Sequence, residues 1–222
     1  MYLNATASDT RLYVLKQAYM LLALTMIPTV IGAMLGGTAP ILNFAVQHPV
    51  MFPIGTLLAG FACLYSIAKN ENNQIGVMMT LVFAGFMGLS LGPTLALLLK
   101  TAKGAEIVAM AAGTTCVIFF ALAGYVQTTK KDFSFMGGML FSSLIGLIVL
   151  SIIGIFIQAT MFHIILSVFG VLIFSGYILY DVSNAVNGGE TNYIRITVNL
   201  YMNVMNLFIN LLQLFTNLSK DD

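Results

Sequence analysis

Residues 192–218 read NYIRITVNLYMNVMNLFINLLQLFTNL. As a helix the run is long enough to cross roughly 30 Å of hydrocarbon, yet it carries an amide at every turn. Asn199, Asn203, Asn206, Asn210, Gln213 and Asn217 follow one another in steps of four, three, four, three and four, which places them in one stripe along the helix. Asn192 and Arg195 extend that stripe into the preceding loop. A carboxamide facing lipid leaves its donors and acceptors unsatisfied, at several kcal/mol each. The stripe therefore predicts protein or water on that side: a central last helix, with the others around it. Two uses fit such a stripe. The amides can bond across helices as structural glue, or they can line a hydrated path for an ion or proton.

The rest of the chain sets the number of neighbours. It is 59% hydrophobic and 8% charged, against about 25% charged in soluble domains. A soluble fold of 222 residues could not hide this much apolar surface, so lipid is the expected solvent. Seven apolar runs are predicted as membrane helices, at 17–37, 46–68, 75–99, 105–127, 135–158, 161–180 and 194–217. They are continuously apolar, without the alternation of barrel strands. The gaps between them hold "GGTAP", "KNENNQ", "KTAKGA", "TTKKDFS", "QATMF" and "DVSNAVNGGETNYIR". None is long enough for a soluble domain, so residues 1–222 are expected to form one seven-helix domain with a short tail over about 1–16. That tail has no apolar periodicity and is expected to be mobile. The first apolar run is too long for a cleaved signal and is expected to be retained.

Charge sets the expected orientation. A cytoplasmic N-terminus puts Arg11, Lys16, Lys69, Lys130, Lys131 and Arg195 inside, and Lys100, Lys103 and Lys220 outside. That bias favours N-terminus in and C-terminus out. A net charge of +1 gives no pull on nucleic acid. Cys63 and Cys116 both lie in apolar runs and read as small buried apolar residues.

Polar residues inside the spans are the candidates for function. His163, Ser167, Gly170, Phe174, Tyr177 and Asp181 share one face of the sixth span, and Asp181 sits where that span meets the cytoplasm. A carboxylate there is a functional-site candidate; its bland alternative is a helix-end charge in headgroup water. In "GFMGLSLGP", residues 85–93, Gly85, Gly88 and Gly92 read as close helix packing, and Gly88 with Gly92 matches the small-xxx-small pair Gly32 and Gly36 of the first span. Pro93 breaks the ladder locally. No metal site is expected: His48 and His163 are the only histidines, too few for a zinc hydrolase. No catalytic residues and no cofactor are expected; Ser167, one turn from His163, is a weak hydrolase candidate. Gly188 and Gly189 suit the reversal before the last span, and Glu190 with Thr191 is expected to help start it.

"NGGETNYIR" followed by "TVNLY", with "TTKKDFSFMGGML" and "GFMGLSLGP" upstream, resembles the YccA-like branch of the Bax inhibitor family, over essentially the whole chain. The resemblance implies a bacterial inner-membrane protein of seven helices, six packed around the last. It implies a partner, the membrane-anchored ATP-dependent protease FtsH, whose quality-control proteolysis this branch modulates. It also implies an alternative, since the wider family is linked to calcium leak and to protection from stress-induced cell death. In leak-type members two Asp on the last two spans share a proton and gate a pore. The first maps to Asp181 in "LYDVSN", the second to Asn203 in "LYMNVMNLF", so the like-charge pair is missing here. Lys69 stands near the place of a basic residue of those proteins. Asp181, Asn203, Arg195, Glu190, Lys69, Asn199 and Asn206 are thus the candidates for an ion or proton path, with Asp181, Glu190 and Arg195 closing its cytoplasmic mouth as a polar plug. Membrane lipid, FtsH and, on the alternative, calcium ions or protons are the expected partners.

Overall fold

The computed structural model describes residues 2–157 and 159–219, with side chains from Thr10 onward. Among these residues every regular element is a helix: α1 Tyr2–Gly36, α2 Ala39–Gln47, α3 Met51–Lys69, α4 Gln74–Leu98, α5 Gly104–Thr129, a 3-10 turn Ser134–Met136, α6 Gly137–Gly154, α7 Thr160–Asn187 and α8 Tyr193–Leu218. Seven spans, formed by α1, α3, α4, α5, the 3-10 turn joined to α6, α7 and α8, are long and apolar enough to cross a membrane.

The bounds differ from the sequence reading in places where apolarity and helicity part company. α1 is already helical at Tyr2, whereas the apolar run was expected to begin at 17. No Gly or Pro occurs before Pro28, so no residue interrupts the helix between the segment expected as a tail and the span. α2 lies where only a gap was expected. Thr38 is extended at its N-cap, and Pro at the first turn starts the helix. α7 runs seven residues past the expected limit of 180, through "DVSNAVN", because polarity does not end a helix. What ends it is Gly188 at φ 83, whose N–H bonds the carbonyl of Asn184.

The chain divides into two compact units, residues 1–102 with 191–201, and 103–190 with 202–222. In the first, α1 and α4 pack backbone to backbone. A Cβ on Gly32 would collide with the carbonyl of Gly85, one on Gly88 with the carbonyl of Thr29, and one on Gly92 would lie 2.6 Å from Cα of Gly36. The two small-xxx-small pairs thus face each other. Pro93 removes the donor that the Leu89 carbonyl would use in α4, and that carbonyl lies against Gly36. The N-terminal half of α8 is keyed into the same unit by Tyr201, which is wholly buried. Its hydroxyl donates to the carbonyl of Ala84 at 3.1 Å and shares a 2.8 Å bond with Thr29 Oγ1. Thr197 Oγ1 donates to the carbonyl of Ala18 at 3.1 Å. α3 buries only Gly60 and Ile67, leaving Leu57, Leu58 and Phe61 outward, as suits a helix with lipid on one side.

In the second unit α5 and α6 each pack on α7. Gly137 and Gly176 make room for Tyr180 and Leu140 respectively. Cys116 is exposed and Cys63 partly so. Both differ from the expected burial: they lie on helix faces turned outward, where a thiol is apolar enough for lipid.

Candidate functional site

The face of α7 predicted from spacing is buried over its middle and half-buried at His163, Tyr177 and Asp181. Ser167 and Phe174 are almost fully enclosed, and Gly170 between them is also buried. A Cβ on Gly170 would occupy the place of the Asn210 carboxamide oxygen, so the amide of α8 fills the glycine's missing side chain. Two turns further along α8, Asn203 is 8% exposed, and its Nδ2 donates to Asp181 Oδ2. A carboxylate within a membrane helix thereby has a neutral amide donor from the next helix.

The remaining amides behave otherwise than as cross-helix glue. Asn206 Nδ2 donates to the carbonyl of Met202 at 2.9 Å, and Asn210 Nδ2 to the carbonyl of Asn206 at 2.8 Å. Each is folded back onto its own helix, one turn earlier, a bond that a short amide reaches without any neighbour. Asn199 and Gln213 are exposed, and Asn206 and Asn210 are partly exposed. The deepest positions of α8 lie off the amide stripe instead: Ile194, Thr197, Leu200, Tyr201 and Leu207 are wholly buried.

The polar loop is organised by a residue whose role the sequence reading did not identify. Asn192 caps α8: its Oδ1 accepts the N–H of Ile194 at 2.9 Å and of Arg195 at 3.2 Å. Its Nδ2 donates to the carbonyl of Glu71 and to Asn72 Oδ1, both at 2.9 Å. The capping expected of Glu190 and Thr191 thus falls to Asn192, whose carboxamide can serve two loops at once. Arg195 takes Glu71 as a partner, with Nη2 2.7 Å from both carboxylate oxygens and Nε 3.1 Å from Oε2. Glu71 is the acidic residue of "KNENNQ", and nothing in that loop's local pattern tells of a cation so far along the chain. The loop's own turn is closed by Asn73, which caps α4 through Gly76 N–H at 3.2 Å. The ammonium of Lys69 lies 4.5 Å from the centroid of the Tyr65 ring. Glu190 donates its N–H to the carbonyl of Asn184 at 3.3 Å, which places it in the turn that closes α7.

The hydrolase candidate has the wrong geometry for a nucleophile and base. Ser167 Oγ donates to the backbone carbonyl of His163 at 2.8 Å, and His163 Nε2 lies 2.9 Å from the carbonyl of Ile157.

Comparison with known proteins places these features in a family. The family model described as inhibitor of apoptosis-promoting Bax1 matches residues 11–220. The chain is 38% identical over 191 residues to the modulator of FtsH protease YccA of Escherichia coli K12, an alignment that covers 86% of this chain and 84% of that one. The Escherichia coli O6:H1 relative, named inner membrane protein YccA, aligns with the same identity and coverage. A Vibrio cholerae protein, named only as an uncharacterized membrane protein, is 39% identical over 195 residues, 86% of this chain and 83% of its own.

Proposed function

This multi-pass membrane protein belongs to the Bax inhibitor family, and from that premise we propose that it works in a bacterial inner membrane as a partner and modulator of the FtsH protease. The observation that carries the reading is the match to a relative named as that modulator, along most of both chains. Occupancy suffices for such a role, with no chemistry at the site. A protease that pulls substrates from the membrane is slowed by a bundle whose helices hold one another through buried contacts. Here those contacts include the close α1–α4 crossing and the Tyr201 hydrogen bonds. The handle is the N-terminal end of α1. Residues 2–16 of α1 precede the apolar run expected from 17, about 22 Å of helix, enough to stand clear of the bilayer on the cytoplasmic side with the C-terminus opposite.

Co-purification from native membranes in mild detergent tests the association: FtsH should be retained by the full chain and by a form lacking roughly the first eight residues. The shortened form should live longer in cells. Equal lifetimes would remove the handle, and no retention of FtsH by either form would remove the modulator reading. Reporter fusions at the two termini check the orientation.

A second reading, an ion or proton leak, is favoured by one specific observation, the Asp181–Asn203 hydrogen bond between α7 and α8. Flux of calcium or protons into liposomes, lost on Asp181→Asn, is the outcome that would put this reading first.

A further inference from the structure

Only residues 130–133 separate the span Gly104–Thr129 from the span Ser134–Gly154. A connection this short cannot leave the membrane surface, so what it displays stays at headgroup level. Its backbone is fixed at several points. Lys130 is left-handed at φ 52, a conformation more usual for glycine, and its N–H closes α5 on the carbonyl of Val126 at 2.7 Å. Ser183 Oγ accepts the N–H of Phe133 at 2.8 Å and donates to the carbonyl of Lys131 at 3.3 Å. Asn187 reaches the same carbonyl at 3.4 Å. Asp132, the acid of the loop, turns its Oδ1 onto the N–H of Ser134 at 2.8 Å. Both lysine side chains are left exposed.

Beside the lysines runs a ladder of rings. Tyr125 and Phe133 have centroids 6.3 Å apart, and Phe133 and Phe135 6.4 Å. Lys131 Nζ stands 5.7 Å from the centroid of Tyr125. Phe135, one residue into the next span, is 79% exposed. An ammonium pair at the surface with an aromatic flank leading into the hydrocarbon asks for a ligand with an anionic head and an apolar body.

We propose that Lys130 and Lys131, with the Tyr125–Phe133–Phe135 ladder, form a binding site for an anionic phospholipid. The two ammonium groups take the headgroup phosphate, and the acyl chains lie along the rings. A free phosphate would use the lysines alone and leave the ladder bare, so a lipid is the occupant that uses the whole surface. Basic residues at the membrane surface attract anionic headgroups in any case; the fixed backbone and the ring ladder add a defined place.

Electron paramagnetic resonance of the full chain, reconstituted in phosphatidylcholine vesicles with trace spin-labelled phosphatidylglycerol or phosphatidylcholine, tests this. The motionally restricted fraction should favour phosphatidylglycerol. The preference should fall on the order of tenfold in K130Q/K131Q and persist in K130R/K131R and in the control K100Q/K103Q. Phe135→Ala should weaken phosphatidylglycerol retention with both lysines intact. Lys131→Ala, which spares the left-handed position, carries the same expectation in smaller measure should the double variant fail to fold. No preference in the parent chain, a preference that survives loss of the lysines, equal loss in K100Q/K103Q, or displacement of the lipid by inorganic phosphate would each overturn the proposal.

Discussion

Glu71 and Arg195 lie 124 residues apart in sequence and meet as a fork on a fork, both carboxylate oxygens within 2.7 Å of one guanidinium nitrogen. The pair fastens the α3–α4 loop to the first turn of α8, beside the two bonds from Asn192 to Glu71 and Asn72.

Because both side chains are partly exposed, the ion pair itself should contribute about 0.2–1 kcal/mol, near the upper end for its bidentate geometry. A double-mutant cycle with Glu71→Ala and Arg195→Ala in detergent should return a coupling of that size. Asn192→Ala should cost more, about 1–2 kcal/mol, because a helix cap is lost with the loop bonds. A larger coupling for the ion pair than the cost of the cap would reverse this ordering.

The α1–α4 crossing makes a contrast between glycines. Gly88→Ala puts a methyl group into the carbonyl of Thr29, backbone that cannot swing aside, and should destabilise by about 1–3 kcal/mol. Gly113→Ala meets nothing within 4 Å and should be neutral or stabilising by up to about 1 kcal/mol. Unfolding curves for the two variants check the contrast; similar losses at both sites would mean that the helices do not touch at Gly88.

Asn203→Leu leaves Asp181 in place without its amide donor and should cost about 1–3 kcal/mol. Asp181→Asn keeps an amide pair and should cost less. Asp181→Leu combined with Asn203→Leu should recover part of the loss, because both polar partners then leave together. Additive losses in the double variant would show that the hydrogen bond contributes nothing.

The α5–α6 loop carries an acid-sensitive contact. The backbone N–H of Ser134 and then its side chain hold the Asp132 carboxyl below its ordinary value of 3.8. A depressed value in the folded state means that the stabilisation is present above 3.8 and is lost as pH falls through the lower folded value. Protection of the Ser134 amide, its exchange relative to the intrinsic rate at each pH, should therefore fall only at acid pH, and Asp132→Asn should flatten that dependence. An amide whose protection is the same above and below the transition would contradict the bond.

The spans are legible in the sequence because continuous apolarity over twenty-odd residues has few other uses. The glycines of α1 and α4 are legible for a related reason, since repeated small residues mark backbone contact. Helix ends are another matter: the polar "DVSNAVN" stays helical until Gly188, and α2 is short, with one buried side chain, Leu42. The amides of α8 show the limit of periodicity. Spacing places them on one face, but Asn206 and Asn210 are satisfied by their own backbone, so the stripe need not coincide with the buried side. Tyr201, off the stripe, is the better buried residue. The partner of Arg195 was out of reach because it is set by tertiary structure, at a separation where local pattern carries no information.

The Asn210 carboxamide occupies the space of the side chain that Gly170 lacks. A methyl group at 170 would press on the far end of the Asn210 side chain, which can turn aside, so the two positions are coupled without being locked. Any larger residue at 170 evicts the amide, while a smaller one at 210 opens a void beside a bare backbone. The two sites share one volume, so in descendants of this chain that acquire alanine or serine at 170 the residue at 210 should have swung out of that space or shrunk.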